Sequence, residues 1–351
     1  MDKAALQQQL NAWLEARPAD TDSAWLDWAK TDLAAFWQRT EHLEFNGKHD
    51  KRIAYGVWPQ LEPSPWVVIS PGRIESYIKY QEVALEWAAT GYSVALIDHR
   101  GQGFSERLTD HHEHGHVDHF IDYVDDFTTW MSELEPRIQG QPCYLVAHSM
   151  GGAIASLYMA QYGRAKVPFQ FKAAILSAPM MGINTKPWPE SLGKAIVRFG
   201  AKVKRSVAPN SAHYFIGMKD YDPLPFAKND LTHSANRYSW LTGMYKEHPR
   251  IRLGGPTWQW LTESLNAMDI LPRMARKIST PILLMQGSDD VVVMPEAQDR
   301  FIANCDNEHT RLVKIDGARH EILMETDDVR NRAMSEVTAF LESLPTALAE
   351  E

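Results

Sequence analysis

The sequence predicts an α/β fold: a mostly parallel central sheet flanked by helices, with a helical cap as an insertion. Three observations predict it. Short apolar runs alternate with helix-like stretches, the pattern of βαβ units. Most runs are apolar throughout, as expected of parallel strands covered on both faces. Between residues 181 and 272 the alternation stops. Prolines at 187, 189, 209, 223, 225, 249, 256 and 272 and many aromatics stand there instead, in a stretch too long for a plain loop.

Taken in order, residues 1–40 place Leu10, Trp13 and Leu14, then Trp25, Trp28, Leu33, Phe36 and Trp37, at spacings of three and four, which predicts helices packed on the main body. From about residue 43 the pattern changes to short apolar runs. Arg52–Trp58 alternates weakly, and Trp66–Ser70 is β-rich and stops at Pro71-Gly72. Ser93–Asp98, Cys143–Ala147, Ala173–Ser177, Pro281–Met285 and Arg311–Ile315 are further runs. Helices are predicted over Tyr77–Ala89, Phe120–Glu135, Ser149–Tyr162 and Pro295–Ala303. The expected division is an N-terminal helical segment (1–40), a core (41–180 and 273–351) and a helical cap (181–272). The cap should lie over the carboxyl ends of the strands, where open α/β sheets bind ligands.

Composition narrows the function classes. The 351 residues suit one large domain or two modest ones, and 44% apolar with 23% charged residues suits a soluble globular protein. A net charge of −9 leaves no basic face and argues against a nucleic-acid partner. Twelve each of Phe, Trp and Tyr argue against disorder. Cys143 and Cys305 cannot build a disulfide framework, and Cys143 reads as a small buried hydrophobe. The N-terminus lacks the apolar stretch of a signal peptide, and no run reaches the ~18–20 apolar residues that span a bilayer. A cytoplasmic protein is expected; contact with a membrane surface would need no spanning helix.

The chemistry concentrates at Leu145–Ile154. A strand enters, a helix leaves, and Ser149 stands at the corner, a variant of the Gly-x-Ser-x-Gly nucleophile elbow. So tight a turn needs small residues two before and two after the serine, and Ala147 and Gly151 supply them. The helix amino end then favours an oxyanion beside the hydroxyl. A nucleophilic serine needs a base, and the base an orienting acid. His320 follows the Arg311–Ile315 run and is the expected base. The acid is Asp289 or Asp290, in the turn after Pro281–Met285; Asp290, three residues past Gly287, is preferred. Two backbone N–H groups should form the oxyanion hole, those of Met150 and Arg73. No metal or cofactor is needed. His111, His112, His114, His116 and His119 crowd together without a zinc-binding spacing and are assigned to a polar surface loop. Asp98–Ser105 lacks the lysine and spacing of a phosphate-binding loop and is read as support for the site's rim. Apolar substrate contacts are sought among the cap aromatics Trp188, Tyr214, Phe215, Phe226, Trp240, Tyr245, Trp258 and Trp260, with Trp188, Phe215, Phe226 and Trp258 preferred, and contacts to an anionic group among Lys202, Lys204, Arg205, Arg250 and Arg252.

With these residues in place, the chain resembles the α/β-hydrolase superfamily, in its serine-lipase branch that includes monoacylglycerol lipases. Within that branch it more closely resembles the bacterial lysophospholipases of the L-two type. The likeness rests on Pro71–Tyr77, Asp98–Gly103, Gly115–Val117, Asp122–Asp126, Ala147–Ile154, Leu224–Ala227, Leu231–Ser234, Gly254–Thr257 and His320–Leu323, and so includes the cap. Two positions depart from the wider lipase pattern: Pro71, where a histidine is usual, and Ala147, where the elbow has its first glycine. The resemblance implies hydrolysis of the acyl ester of a lysophospholipid, giving a fatty acid and a glycerophospho-alcohol, and peripheral association with the inner membrane. A monoacylglycerol lipase or general carboxylesterase would use the same machinery. A binding module without activity would be expected to carry a broken triad, and none of the three positions is broken.

Overall fold

The computed structural model describes residues 2–161, 170–184, 190–207 and 212–345. Strands β1 (Glu41–Asn46), β2 (Arg52–Trp58), β3 (Trp66–Ser70), β4 (Ser93–Ile97), β5 (Cys143–His148), β6 (Ala173–Ser177), β7 (Ile282–Gly287) and β8 (Arg311–Ile315) form one sheet. Its order is β1-β2-β4-β3-β5-β6-β7-β8. All neighbours from β4 to β8 run parallel, while β1 and β2 form an antiparallel edge. β3, β4, β6 and β7 are buried at every position, the environment their Val, Ile and Leu runs require.

This order has a functional consequence. The chain leaves β3 for β4 on one side and later returns to β5 on the other, so the strand order reverses between β3 and β5. Loops leaving such neighbours diverge and open a crevice at their carboxyl ends. Gly72-Arg73 follows β3 and Ser149 follows β5, so both stand at that crevice.

Elements outside the strands largely follow the expected pattern. Leu6, Leu10 and Trp13 are the buried face of helix Lys3–Glu15, which packs on helix Gln81–Ala89. Residues 24–37 are helical, with a π-helical stretch at Ala29–Leu33. Between β6 and β7 lie helices Glu190–Val207, Ala235–Glu247 and Trp258–Ala275. The last runs through Pro272 and packs against both Glu190–Val207 and Met150–Met159. A fully buried Arg237 anchors this insertion: its guanidinium donates to both oxygens of Glu82 (2.8 and 2.7 Å) and to Asp327 (2.6 Å).

Two elements were not anticipated. β1 is half-exposed at the sheet edge, and Glu-His-Leu-Glu-Phe-Asn presents no continuous apolar run. Helix Asp327–Glu342 buries Val329, Ala333, Val337 and Phe340, a spacing that is nonetheless visible in the sequence. Both cysteines are free, and Cys143 is buried.

Candidate active site

At the end of β5 the backbone makes the turn that the small residues permit. Ser149 sits at φ 48° and ψ −117°, a conformation costly for a residue with a Cβ. Helix Met150–Met159 starts immediately after it. Gly151 is required by close approach: a Cβ there would lie 2.1 Å from the carbonyl oxygen of Ser70 and 2.5 Å from that of Pro71. Two backbone oxygens cannot move aside as a side-chain tip can. Gly151→Ala is therefore expected to lose about 1–3 kcal/mol in a denaturant titration, with activity falling alongside.

His320 and Asp290 arrive from the ends of β8 and β7. Gly287 lets the two loops meet, since a Cβ on it would lie 2.5 Å from the Ala318 carbonyl oxygen. His320 Nε2 is 3.0 Å from Ser149 Oγ, and its Nδ1 is 2.8 Å from Asp290 Oδ2. A carboxylate only accepts, so Nδ1 carries the proton and Nε2 is left to accept from the serine hydroxyl. The other Asp290 oxygen accepts from the N–H groups of Val292 (2.7 Å) and Val293 (3.2 Å). Burial pushes this carboxyl upward, but the contact with His320 and the two N–H groups outweigh it and hold it below the usual carboxylate range. Asp289 is exposed and accepts from Ser288. Of the two carboxylates left open by the sequence, Asp290 is the one that meets the imidazole.

The β3 loop closes the other side. A Cβ on Gly72 would lie 3.1 Å from that of Ser149, so this backbone touches the nucleophile's residue. Gln102 Nε2 donates to the carbonyls of Gly72 (2.7 Å) and Glu75 (2.9 Å), and the Tyr245 hydroxyl to that of Ile74 (3.0 Å). Ile74 is held at φ 74°, and these bonds keep the strained turn in place. Gln102 belongs to the glycine-containing loop read as support for the rim.

A buried ionic group beneath the site was not anticipated. Lys79 is ion-paired with both Glu75 and Glu321, and Tyr80 donates to Glu75 at 2.7 Å. Lys79 thereby ties the oxyanion-side loop to the residue after His320. Burial raises the Glu75 carboxyl, but the Lys79 ammonium outweighs it and holds it low. Burial pushes His148 down to about 3, so this ring, its centroid 4.8 Å from that of His320, is neutral. Glu75, His148 and Glu321 could together hold a metal ion, but the Lys79 ammonium already bridges the two carboxylates. The available signal was a Glu and a Lys four apart within an otherwise apolar stretch, beside an acid adjoining the histidine.

The remaining candidates are scattered. Phe215 and Trp258 pack together at 4.7 Å, and Trp258 is pressed close to Gly200. Phe226 is 40% exposed against Tyr238. Trp240 packs on Trp25, and Tyr214 donates to Asp220. Trp188 and the Arg205 side chain lie outside the described residues. Lys202 and Lys204 are exposed, Arg250 lies over the Phe104 ring, and Arg252 donates to the Tyr245 carbonyl. His111 and His114 pack at a tilt beside Tyr214, with His111 2.6 Å from Asp220, so part of the histidine cluster joins the insertion to the core.

The Hydrolase_4 family model, described as serine aminopeptidase, S33, matches residues 62–327. Lysophospholipase L2 of Escherichia coli strain K12 is 37% identical over 314 residues, covering 88% of this chain and 89% of that protein. Monoacylglycerol lipase of Mycolicibacterium smegmatis is 25% identical, covering 87% and 98%. A soluble variant of monoglyceride lipase from Saccharomyces cerevisiae, solved with a substrate analogue, superposes with a TM-score of 0.68 at 21% identity, covering 88% of this chain and 95% of that one.

Proposed function

The chain belongs to the Hydrolase_4 family and has the α/β-hydrolase fold, and from that premise we propose that it is a serine hydrolase cleaving the acyl ester of lysophospholipids. The observation that carries this reading is the hydrogen-bonded chain Ser149–His320–Asp290. The relatives' names supply the substrate class.

In the proposed reaction the Ser149 hydroxyl attacks the ester carbonyl while His320 Nε2 takes its proton. Asp290 holds the Nδ1 proton and stabilises the imidazolium. The N–H groups of Met150 and Arg73 receive the developing oxyanion. His320 returns the proton to the departing glycerophospho-alcohol, and a water molecule, activated in the same way, releases the fatty acid.

Monoacylglycerol hydrolysis is the second reading, favoured by relatives so named at 25–27% identity. Turnover of a 1-acyl lysophospholipid, a 1-monoacylglycerol of the same chain length and a short p-nitrophenyl ester separates the two. The lysophospholipid is expected to have the highest kcat/KM. A higher value for the monoacylglycerol would reverse the assignment.

Such substrates live at lipid surfaces, and the insertion carries a suitable face. On helix Glu190–Val207, Leu192, Ile196, Phe199 and Val203 share one side, and Phe199 is 71% exposed. Lys202 and Lys204 are exposed beside them. This amphipathic, cationic pattern suits peripheral contact with an anionic membrane such as the inner membrane. No described helix is long and apolar enough to cross one. Vesicle co-sedimentation with anionic lipid is expected to weaken about thirtyfold or more in an Ile196→Ser/Phe199→Ser double variant, since each loses about 1 kcal/mol or more of apolar burial. Unchanged binding would remove this helix from the account.

A further inference from the structure

Arg73 brings a second chemical group to the site besides its backbone N–H. Its guanidinium donates from Nη2 to the Gly254 carbonyl at 2.6 Å and lies 5.1 Å from the Trp260 ring centroid. Its Nε is sealed from solvent and has no hydrogen-bond partner, although the residue as a whole keeps some exposure. Gly115 makes room for it: a Cβ there would lie 2.6 Å from Nη2. The nearest groups that act on its charge are the hydroxyls of Tyr123 and Tyr214, and burial has already pushed the guanidinium down to about 10.

The fully buried arginines elsewhere are treated differently. Arg100 pairs with Asp126, Arg237 with Glu82 and Arg330 with Glu86. Arg73 has no carboxylate partner among the described residues. A cation that is partly desolvated, with its Nε sealed and no counter-charge beside it, is less stable than one in water. The other basic candidates have less need of a ligand's charge: Lys202, Lys204 and Arg250 face solvent, and Arg252 bonds the Tyr245 carbonyl through the Nε that in Arg73 is left without a partner.

We propose that the Arg73 guanidinium binds the phosphate of the substrate's headgroup and so sets the preference for phosphate-bearing esters over neutral ones. The inference rests on the lysophospholipid reading and supplies it with a residue. In a 1-acyl lysophospholipid a three-carbon glycerol separates the ester from the phosphodiester, so the phosphate stays near the carbonyl whose oxyanion the Arg73 N–H is proposed to receive. A phosphodiester offers two oxygens to the guanidinium fork. A monoacylglycerol offers no charge, so the desolvation of Arg73 would remain uncompensated.

The test uses the purified full chain, Arg73→Met and Arg73→Lys. Methionine removes the charge but leaves the backbone N–H. The ratio of kcat/KM for 1-acyl glycerophosphoethanolamine to that for the matching monoacylglycerol is expected to fall about 10–100-fold in Arg73→Met, chiefly through KM, with partial recovery in Arg73→Lys. A second arm does not depend on lysophospholipid turnover. Inhibition of p-nitrophenyl ester hydrolysis by sn-glycerol 3-phosphate should weaken at least tenfold in Arg73→Met. A parallel fall on both lipids through kcat, with inhibition unchanged, would make Arg73 only a support for its loop and overturn the proposal. If the wild type spares lysophospholipids yet loses glycerophosphate inhibition on mutation, the substrate reading fails while the anion site stands.

Discussion

Replacing Ser149 with alanine is expected to lower ester hydrolysis by about 10⁵–10⁶-fold with the fold retained. The hydroxyl is the only group lost. Alanine keeps the Cβ, so the φ of 48° costs it no more than it costs serine, and the Ser149 N–H bond to the Ser177 carbonyl (3.1 Å) remains. What disappears is the atom 3.0 Å from His320 Nε2, the one position from which the imidazole can accept a proton as the acyl bond forms. Two measurements check this: steady-state turnover of a p-nitrophenyl ester, and covalent labelling by a fluorophosphonate, which should mark the wild type and leave Ser149→Ala unmarked. Residual turnover within a hundredfold of wild type, with unchanged thermal unfolding, would assign the nucleophile elsewhere.

The second large effect separates two adjacent carboxylates. Asp290→Asn is expected to cost about 10⁴-fold in kcat and Asp289→Asn less than about threefold. Asp290 accepts the Nδ1 proton at 2.8 Å while its other oxygen is held by two backbone N–H groups, so it is both oriented and ionised. An asparagine that turns its amide nitrogen toward His320 would force the proton onto Nε2, where it blocks acceptance from Ser149. Among the described residues, Ser288 is the one side chain that hydrogen-bonds the Asp289 carboxylate, which faces solvent. Comparable losses at both positions would mean that the turn's overall negative charge acts on His320, and the directional hydrogen bond would no longer explain the effect.

These predictions differ in how far the sequence anticipates them. The elbow around Ser149 is legible because its requirements are local: a strand, small residues at 147 and 151, and a helix all lie within a few positions. His320 is legible from its place after a strand. The choice between Asp289 and Asp290 is not, because consecutive residues point in different directions and only the folded turn decides which oxygen faces the ring. Edge strand β1 escaped notice because half-exposed strands need no continuous apolar run.

Periodicity along the chain determined the alternating architecture, the insertion after β6 and the rim on which the reacting groups would lie, since backbone conformation and one-sided burial depend on near neighbours. The three-dimensional packing alone decided that Lys79 joins Glu75 to Glu321, and that Arg73 has its Nε sealed from solvent with no carboxylate beside it among the described residues. Coulomb and hydrogen-bond energies depend on separation in space, and β3, the helix after it, the insertion and the His320 loop are far apart along the chain.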